Sequence, residues 1–278
     1  MVRSYSFEYA GAIITLVDTP GLNDIERNDA EVLQDIADWA SATYRNEQLL
    51  SGIIYLHPIT HTCMEGSAMR NLRMFQNLCG QEVLENVLLT TTQWSKVDPA
   101  EGQAREDNLR DEGLWGGLIG KGATLQKFHG TRESGFELIH KLMLNTRKPL
   151  HIQHQIVRQH MTLLETDAGK CIHEDLIAQR NKIKERLEFL EKRRLEKWNR
   201  DMRDLRALVE EQANAQRNLE VADAVMRVLT ELHAAAVRKR RPGKGHESFG
   251  LPMGTRLCSC TDMQICRLVA NKTQKFRS

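Results

Sequence analysis

The run Ala12-Ile-Ile-Thr-Leu-Val17 is almost wholly apolar and stops at Asp18-Thr19-Pro20-Gly21. A strand of that composition has no solvent face to offer, so it is expected to be buried on both faces, as in an α/β sheet. Ahead of it, Tyr5 to Glu8 also reads as a strand, and Ala10-Gly11 between the two reads as a hairpin turn. Behind it, Asp29 to Arg45 places Val32, Leu33, Ile36, Trp39 and Ala40 at helical spacing. The alternation then repeats: strand Gly52 to His57, helix Gly66 to Cys79, strand Val87 to Thr92, helix Gly102 to Ile119, strand Ala123 to His129, helix Glu133 to Asn145. This rhythm predicts an α/β fold, a doubly wound and mostly parallel sheet with helices on both faces.

Pro149 ends the pattern, because its ring bars a helix at its own position and disfavours one at the residue before. Residues 1–149 are thus expected to form the globular part, in keeping with the roughly 100–200 residues usual for one domain. From Gln153 to Val237 there is no strand-like run, no Pro and a single Gly, Gly169. Leu176, Ile183, Leu187, Leu190, Trp198, Met202, Leu205 and Leu208 recur at spacings near three, four and seven, which predicts a helical arm over 150–237 with an irregular heptad seam. Arg194 and Asp201 interrupt that seam. Two forms therefore stay open: a coiled coil that makes homo- or hetero-oligomers through residues 170–210, or a long helix that is solvated or packs within its own chain. After Arg238 a basic run, Arg238-Lys-Arg-Arg241, leads into Ser, Gly, Thr and Cys without periodicity, so 238–278 is expected to be a disordered basic tail.

Apolar residues crowd into the first half of the 278-residue chain, and a core is expected only there. The formal net charge of +2 commits the molecule neither to nucleic acid nor to a membrane surface. The basic run is the one feature that favours nucleic acid, which is not the expected partner. No apolar run approaches the about 18 residues of a membrane span, and Met1 to Glu8 has no apolar signal segment, so the expected location is cytoplasmic. Cys63, Cys79 and Cys171 are scattered singly and read as free thiols, while Cys258, Cys260 and Cys266 lack a fourth ligand at zinc spacing.

Three segments carry chemistry. Asp18, at the carboxyl end of an apolar strand, can hold a Mg²⁺ ion, usually through a water, and Gly21 lets the backbone approach a terminal phosphate; an ordinary Thr19-Pro20 turn is the plain alternative. In Ser95-Lys96-Val97-Asp98, after the strand that ends at Thr92, the carboxylate of Asp98 can accept both N–H groups of a guanine edge, and the Lys96 stem can lie along the base plane. The loop His129-Gly130-Thr131-Arg132-Glu133-Ser134 can close over a base, or Thr131 and Ser134 can simply cap a helix. His57 stands at a strand's carboxyl end, as a catalytic substitute or as a solvent-edge or capping histidine. Arg70 and Arg73, one helical turn apart, can meet a phosphate or a neighbouring protomer or form a solvated face.

In this order, at the ends of successive strands, the segments resemble motifs of the translation-factor-related class of P-loop GTPases. Asp18-Thr-Pro-Gly21 looks like the third guanine-nucleotide motif, Ser95-Lys-Val-Asp98 like the fourth and His129 to Ser134 like a divergent fifth. Leu22-Asn23-Asp24, Ser51 to His57, Arg70 to Phe75 and Thr91-Thr-Gln-Trp94 look most like fungal G-domain proteins related to septins and to the avirulence-induced, immunity-associated GTPases. The resemblance covers residues 3–150 or so. It implies a six-stranded doubly wound sheet and the cofactors GTP or GDP with Mg²⁺. It places Asp18 at the metal, Asp18, Thr19, Pro20 and Gly21 at the phosphates, and Ser95, Lys96, Asp98 and Thr131 at the base.

The chain departs from the family at three points. No Gly-x-x-x-x-Gly-Lys-Ser/Thr occurs, and the chain opens where the family's second strand lies. In the family sheet the first strand lies between those matching Ala12–Val17 and Gly52–His57, so its absence is expected to open the centre of the sheet. Ser95 replaces Asn or Thr, and Leu22 stands where many GTPases carry a water-orienting Gln. The expectation is a truncated or degenerate G domain that binds guanine nucleotide, with no catalytic residue assignable and no hydrolysis from this chain alone. The alternative is a nucleotide-free pseudo-GTPase acting as a scaffold through its arm.

Overall fold

Ala10 and Gly11 both take positive φ, 49° and 73°, and this two-residue turn folds β1 (Arg3–Tyr9) back on β2 (Ala12–Asp18). Two such residues give the turn whose twist matches paired antiparallel strands. The register runs from Arg3 opposite Asp18 to Tyr9 opposite Ala12, so the expected hairpin is present. Burial of β2 on both faces holds only in part. Ala12, Ile14 and Val17 are buried, but Ile13 is 50% exposed, because β2 lies in a two-stranded ribbon rather than inside a parallel sheet.

The computed structural model describes residues 2–21, 28–61, 66–197 and 202–240. It falls into two compact units that divide between Met161 and Thr162. In the first unit the hairpin leads to α1 (Asp29–Arg45), whose first turn is capped by Asn28 Oδ1 accepting from Glu31 N at 2.9 Å. Then come β3 (Ile53–Pro58), α2 (Ser67–Cys79), β4 (Val87–Thr92), α3 (Pro99–Leu109), a short α4 (Gly117–Ile119), β5 (Thr124–Lys127) and α5 (Arg132–Met143). β3, β4 and β5 form a parallel sheet in that order. β4 is its centre, with Val87 to Thr91 all buried, as a strand covered on both faces requires.

Alternate residues of the sheet face different helices. Ile54 and Leu88 pack on Leu138, Ile139 and Leu142 of α5, in a cluster that also takes in Ala12 and Ile14 of β2. On the opposite face, Tyr55 meets Phe75 of α2 at 4.9 Å and Trp115 at 6.1 Å between ring centroids. The protein is thus α/β, with a three-stranded parallel sheet and helices on both faces. β1–β2 and β3–β4–β5 are separate hydrogen-bonded sheets.

The sequence expectation of one helix over Gly102 to Ile119 needs correction at both ends. α3 starts three residues earlier, because Asp98 caps it with Pro99 at the first helical position. It stops at Leu109, where Asp111 caps a new, irregular turn over Glu112–Gly116 with Leu114 outside helical geometry; Gly113, Gly116 and Gly117 give that segment little helix propensity. The boundary at Pro149 also moves. α6 (His151–Gln153) packs on α1 and α2, and Gln153 Nε2, fully buried, donates to Ala40 O at 2.8 Å. The chain after Pro149 thereby stays in the first unit as far as Met161.

The second unit pairs α7 (Asp167–Lys197) with α8 (Met202–Arg240). The helices run antiparallel, since Arg180 pairs with Asp223 and Arg186 with Glu211. Leu187 and Leu190 of α7 and Leu208, Ala222 and Leu229 of α8 are buried. Of the two forms left open for the arm, packing within the chain is the one adopted by Leu187 and Leu190. α8 also carries a stripe beyond Leu208: Gln212, Ala215, Leu219, Met226, His233 and Ala236 are all at least half-buried, at alternating four- and three-residue steps suited to a near-antiparallel helix pair. Cys79 and Cys171 are thiols outside any disulfide, and both are buried. Leu22, Cys63, Trp198, Asp201 and the 241–278 tail with Cys258, Cys260 and Cys266 lie outside the described residues, as do the side chains of Arg194, Met202 and Leu205. Among the described residues no helix is long and apolar enough to cross a membrane.

Because α8 covers the α7 seam, a 162–240 fragment is expected to be helical at low micromolar concentration, with a circular-dichroism signal independent of concentration. Helicity that rises with concentration would mean that a second chain completes the seam instead.

Candidate functional site

Ligands of α/β proteins gather outside the carboxyl ends of the strands, and β4 delivers its chain there. Gln93 leaves the strand in the left-handed conformation, φ 61°, which turns Trp94–Lys96 into a single 3-10 turn. Val97 is extended, and Asp98 caps α3: its Oδ1 accepts from Ala100 N at 2.9 Å and Glu101 N at 3.3 Å. The sequence carried this signal in Asp98-Pro99-x-Glu101, a capping residue, a helix-opening Pro and an acidic first turn. Asp98 is exposed and the cap uses one of its two oxygens, so the carboxylate keeps acceptor capacity. Lys96 Nζ donates to Gln93 Oε1 at 3.3 Å, and the same oxygen accepts from Thr60 Oγ1 at 3.3 Å. Ser95 and Lys96 are exposed.

Behind this loop the sheet end is heavily tied. Arg105 of α3 donates to the carbonyls of Ile59 and Thr60, both at 3.0 Å, which fixes α3 against the chain leaving β3. Trp94 Nε1 donates to Thr91 Oγ1 at 3.0 Å, and Thr91 donates to the buried Glu106 at 2.9 Å. Lys127 of β5 reaches Glu106 at 3.3 Å and lies 4.1 Å above the Trp94 ring. Sequence reasoning missed Glu106 and Lys127, because their partners lie on other elements, β4 and β5 for Glu106 and α3 and the Trp94 loop for Lys127.

The loop after β5 comes beside the loop after β4, with the His129 and Trp94 rings 6.3 Å apart. Thr131 caps α5, its Oγ1 accepting from Ser134 N at 3.2 Å, and Ser134 Oγ donates to Thr131 O at 3.0 Å. The capping alternative for this pair is therefore present, with Gly130 at φ 76° just ahead. Asp18 ends β2, opposite Arg3, and Thr19 is buried with Pro20 and Gly21 half-buried. The structure thus brings the Ser95–Asp98 and His129–Ser134 loops together and sets Asp18–Gly21 at the end of the hairpin that shares the α5 core. Among the described residues no group of three His, Cys, Asp or Glu side chains is placed to hold a metal ion.

His57 is neither solvent-edge nor capping. It is 3% exposed, its ring 5.6 Å from Trp115 and 5.6 Å from His61, edge-on to both. Burial, reinforced by repulsion from His61, pushes its pKa down to about 4. Held neutral in this aromatic surround, the imidazole packs beneath the loops above. Arg70 is half-buried and Arg73 exposed on α2. The sequence matches no protein-family model and has no significant similarity to curated proteins.

The unfolded imidazole takes a proton below 6.5, whereas the folded one does so only near 4. Its neutral burial therefore stabilises fully above 6.5, and that contribution falls as pH drops from 6.5 to 4. At about 1.4 kcal/mol per unit the loss reaches about 3 kcal/mol. Urea unfolding of wild type and His57→Phe across this range should show the wild type losing stability more steeply by that amount. Parallel curves would contradict the buried neutral state.

Proposed function

We propose that the chain is a cytoplasmic guanine-nucleotide-binding protein of the P-loop GTPase type. Asp98 accepts the ring and exocyclic N–H groups of guanine, which adenine does not offer, while the Lys96 stem lies along the base and backbone groups around Thr131 close its edge. Asp18 and Gly21 take the phosphate side. The observation that carries this reading is the placement of Ser95–Asp98 at the carboxyl end of the central parallel strand, beside the loop that leaves the next strand. A flat base is held between two such loops. The separation of the two sheets supports it as well: β2 and β3, neighbours in sequence, share no ladder, which is where the resemblance puts a further strand. Mg²⁺ is the cofactor that the family implies, but the described residues do not assemble its ligands, so no step is assigned through it. Leu22 stands in place of a water-orienting Gln, so hydrolysis would need another group.

A second reading is a nucleotide-free scaffold with partners docked on the outward face of the 170–210 helices. It is favoured by one observation: Asp98 and Thr131 each already cap a helix, and Lys96 already bonds Gln93. Asp98, Thr131 and Lys96 therefore each have a structural role without any ligand.

Two variants separate the readings. Asn ranks with Asp at a helix N-cap, so Asp98→Asn keeps α3 capped, but it puts a donor where guanine needs an acceptor. Without a Gly-rich phosphate loop the chain is expected to bind fluorescent GDP more weakly than micromolar and independently of Mg²⁺. Asp98→Asn should weaken that binding at least about tenfold with little change in melting temperature, whereas Asp98→Ala should lose about 1 kcal/mol of stability as well. ADP competing as well as GDP, or no binding at millimolar nucleotide, would favour the scaffold.

A further inference from the structure

The loop that reads the base in the proposed function begins at Trp94, and Trp94 is held by a closed circuit of side chains. Its indole N–H donates to Thr91 Oγ1 at 3.0 Å. A hydroxyl has one proton, and of the two acceptors within reach of Thr91 Oγ1, Glu106 Oε1 at 2.9 Å and Gln126 O at 3.2 Å, the carboxylate is the nearer and the charged one. The other carboxylate oxygen of Glu106 lies 3.3 Å from Lys127 Nζ, and that ammonium lies 4.1 Å above the Trp94 ring, which closes the circuit. The four residues come from β4, the loop, α3 and β5. Gln103, one turn before Glu106 on α3, also accepts from Lys127 Nζ at 2.7 Å. The indole also packs on the α3 backbone at Gly102, where an added Cβ would come within 2.9 Å of Cζ3.

A carboxylate buried as Glu106 is, at 2% exposure, has to be paired. Lys127 supplies that pairing and is one-third exposed, so the two charges are not interchangeable. Removing the lysine strands a buried charge, whereas removing the carboxylate leaves an ammonium that can reach water. Ser95, Lys96, Val97 and Asp98 follow Trp94 directly, so whatever fixes the indole fixes the start of the base-reading turn. A largely exposed turn would otherwise sample many geometries.

We propose that Lys127 and Glu106 are positioning residues that hold Trp94, and through it the Ser95–Asp98 loop, in its base-reading geometry before any nucleotide arrives. The proposal rests on the assignment of that loop to guanine. It makes guanine selectivity depend on two residues that never touch the base.

The test uses the full chain carrying 5-fluorotryptophan, with the Trp94 resonance assigned through Trp94→Phe, beside GDP and ADP competition at millimolar nucleotide. Wild type should give one narrow Trp94 resonance without nucleotide. Lys127→Met should shift or broaden it and reduce the GDP-over-ADP preference about tenfold, the scale of one well-made hydrogen bond. Lys127→Arg should restore both, since a guanidinium can pair with the carboxylate and stack on the ring. Glu106→Gln, the milder change, reads the same resonance if Lys127→Met does not fold. A Trp94 resonance unchanged in both Lys127→Met and Glu106→Gln would overturn the positioning role. A resonance that responds as expected in a wild-type chain with no preference for GDP would instead overturn the guanine reading on which the role rests.

Discussion

The apolar face of α5 is the constraint on which the first unit depends. The hairpin and the parallel sheet share no hydrogen-bond ladder, yet Leu138, Ile139 and Leu142 pack on residues of β2, β3 and β4 together. Phe136 extends that contact, stacking on Tyr9 at 4.4 Å and meeting Phe7 edge-on at 6.3 Å. Side-chain burial, worth about 1.5–3 kcal/mol for each large aliphatic residue, joins what the backbone does not. The loop after β5 opens onto α5, so the helix that unites the sheets also fixes one wall of the candidate site. Thr131 marks that junction as the helix cap.

The other wall is built from α3. Arg105 fastens it to the β3 exit, Asp98 starts it, and Glu106 ties it to β4 and β5. A base-reading turn carried on such a frame keeps its shape without a ligand, which is the condition for selectivity at low affinity: contacts to the base are not weakened by the cost of ordering the loop. The same frame serves a scaffold equally well. The difference between the two readings lies in whether the free acceptor capacity of Asp98 is used.

Much of the fold was legible in the sequence. Periodicity located every strand of the sheet and four of its helices because each element buries a regular face, and the positive-φ turn at Ala10-Gly11 was visible as a Gly between two strand-like runs. What was not legible depended on partners distant in sequence. β2 looked buried on both faces because Ile13 is apolar, but only its pairing with β1 decides that Ile13 meets water. The α8 stripe was overlooked because Gln212, Ala215, Ala222, His233 and Ala236 are weakly apolar or polar, and become a seam only opposite α7. At the candidate site, Asp98 and Thr131 stand out by their motifs, while the helix-capping role of Asp98 was written in the following Pro99 and passed over. Lys127 and Glu106 carry no local signal at all.

The proposed function turns on whether a guanine base settles between the two loops. An amide-resolved NMR titration of the chain with guanosine monophosphate, repeated with adenosine monophosphate, observes this at the residues concerned. Guanine should move the amides of Ser95 to Asp98 and of His129 to Thr131 while leaving α7 and α8 unchanged, and adenine should move them far less. Equal responses to both bases, or shifts confined to other surfaces, would contradict it.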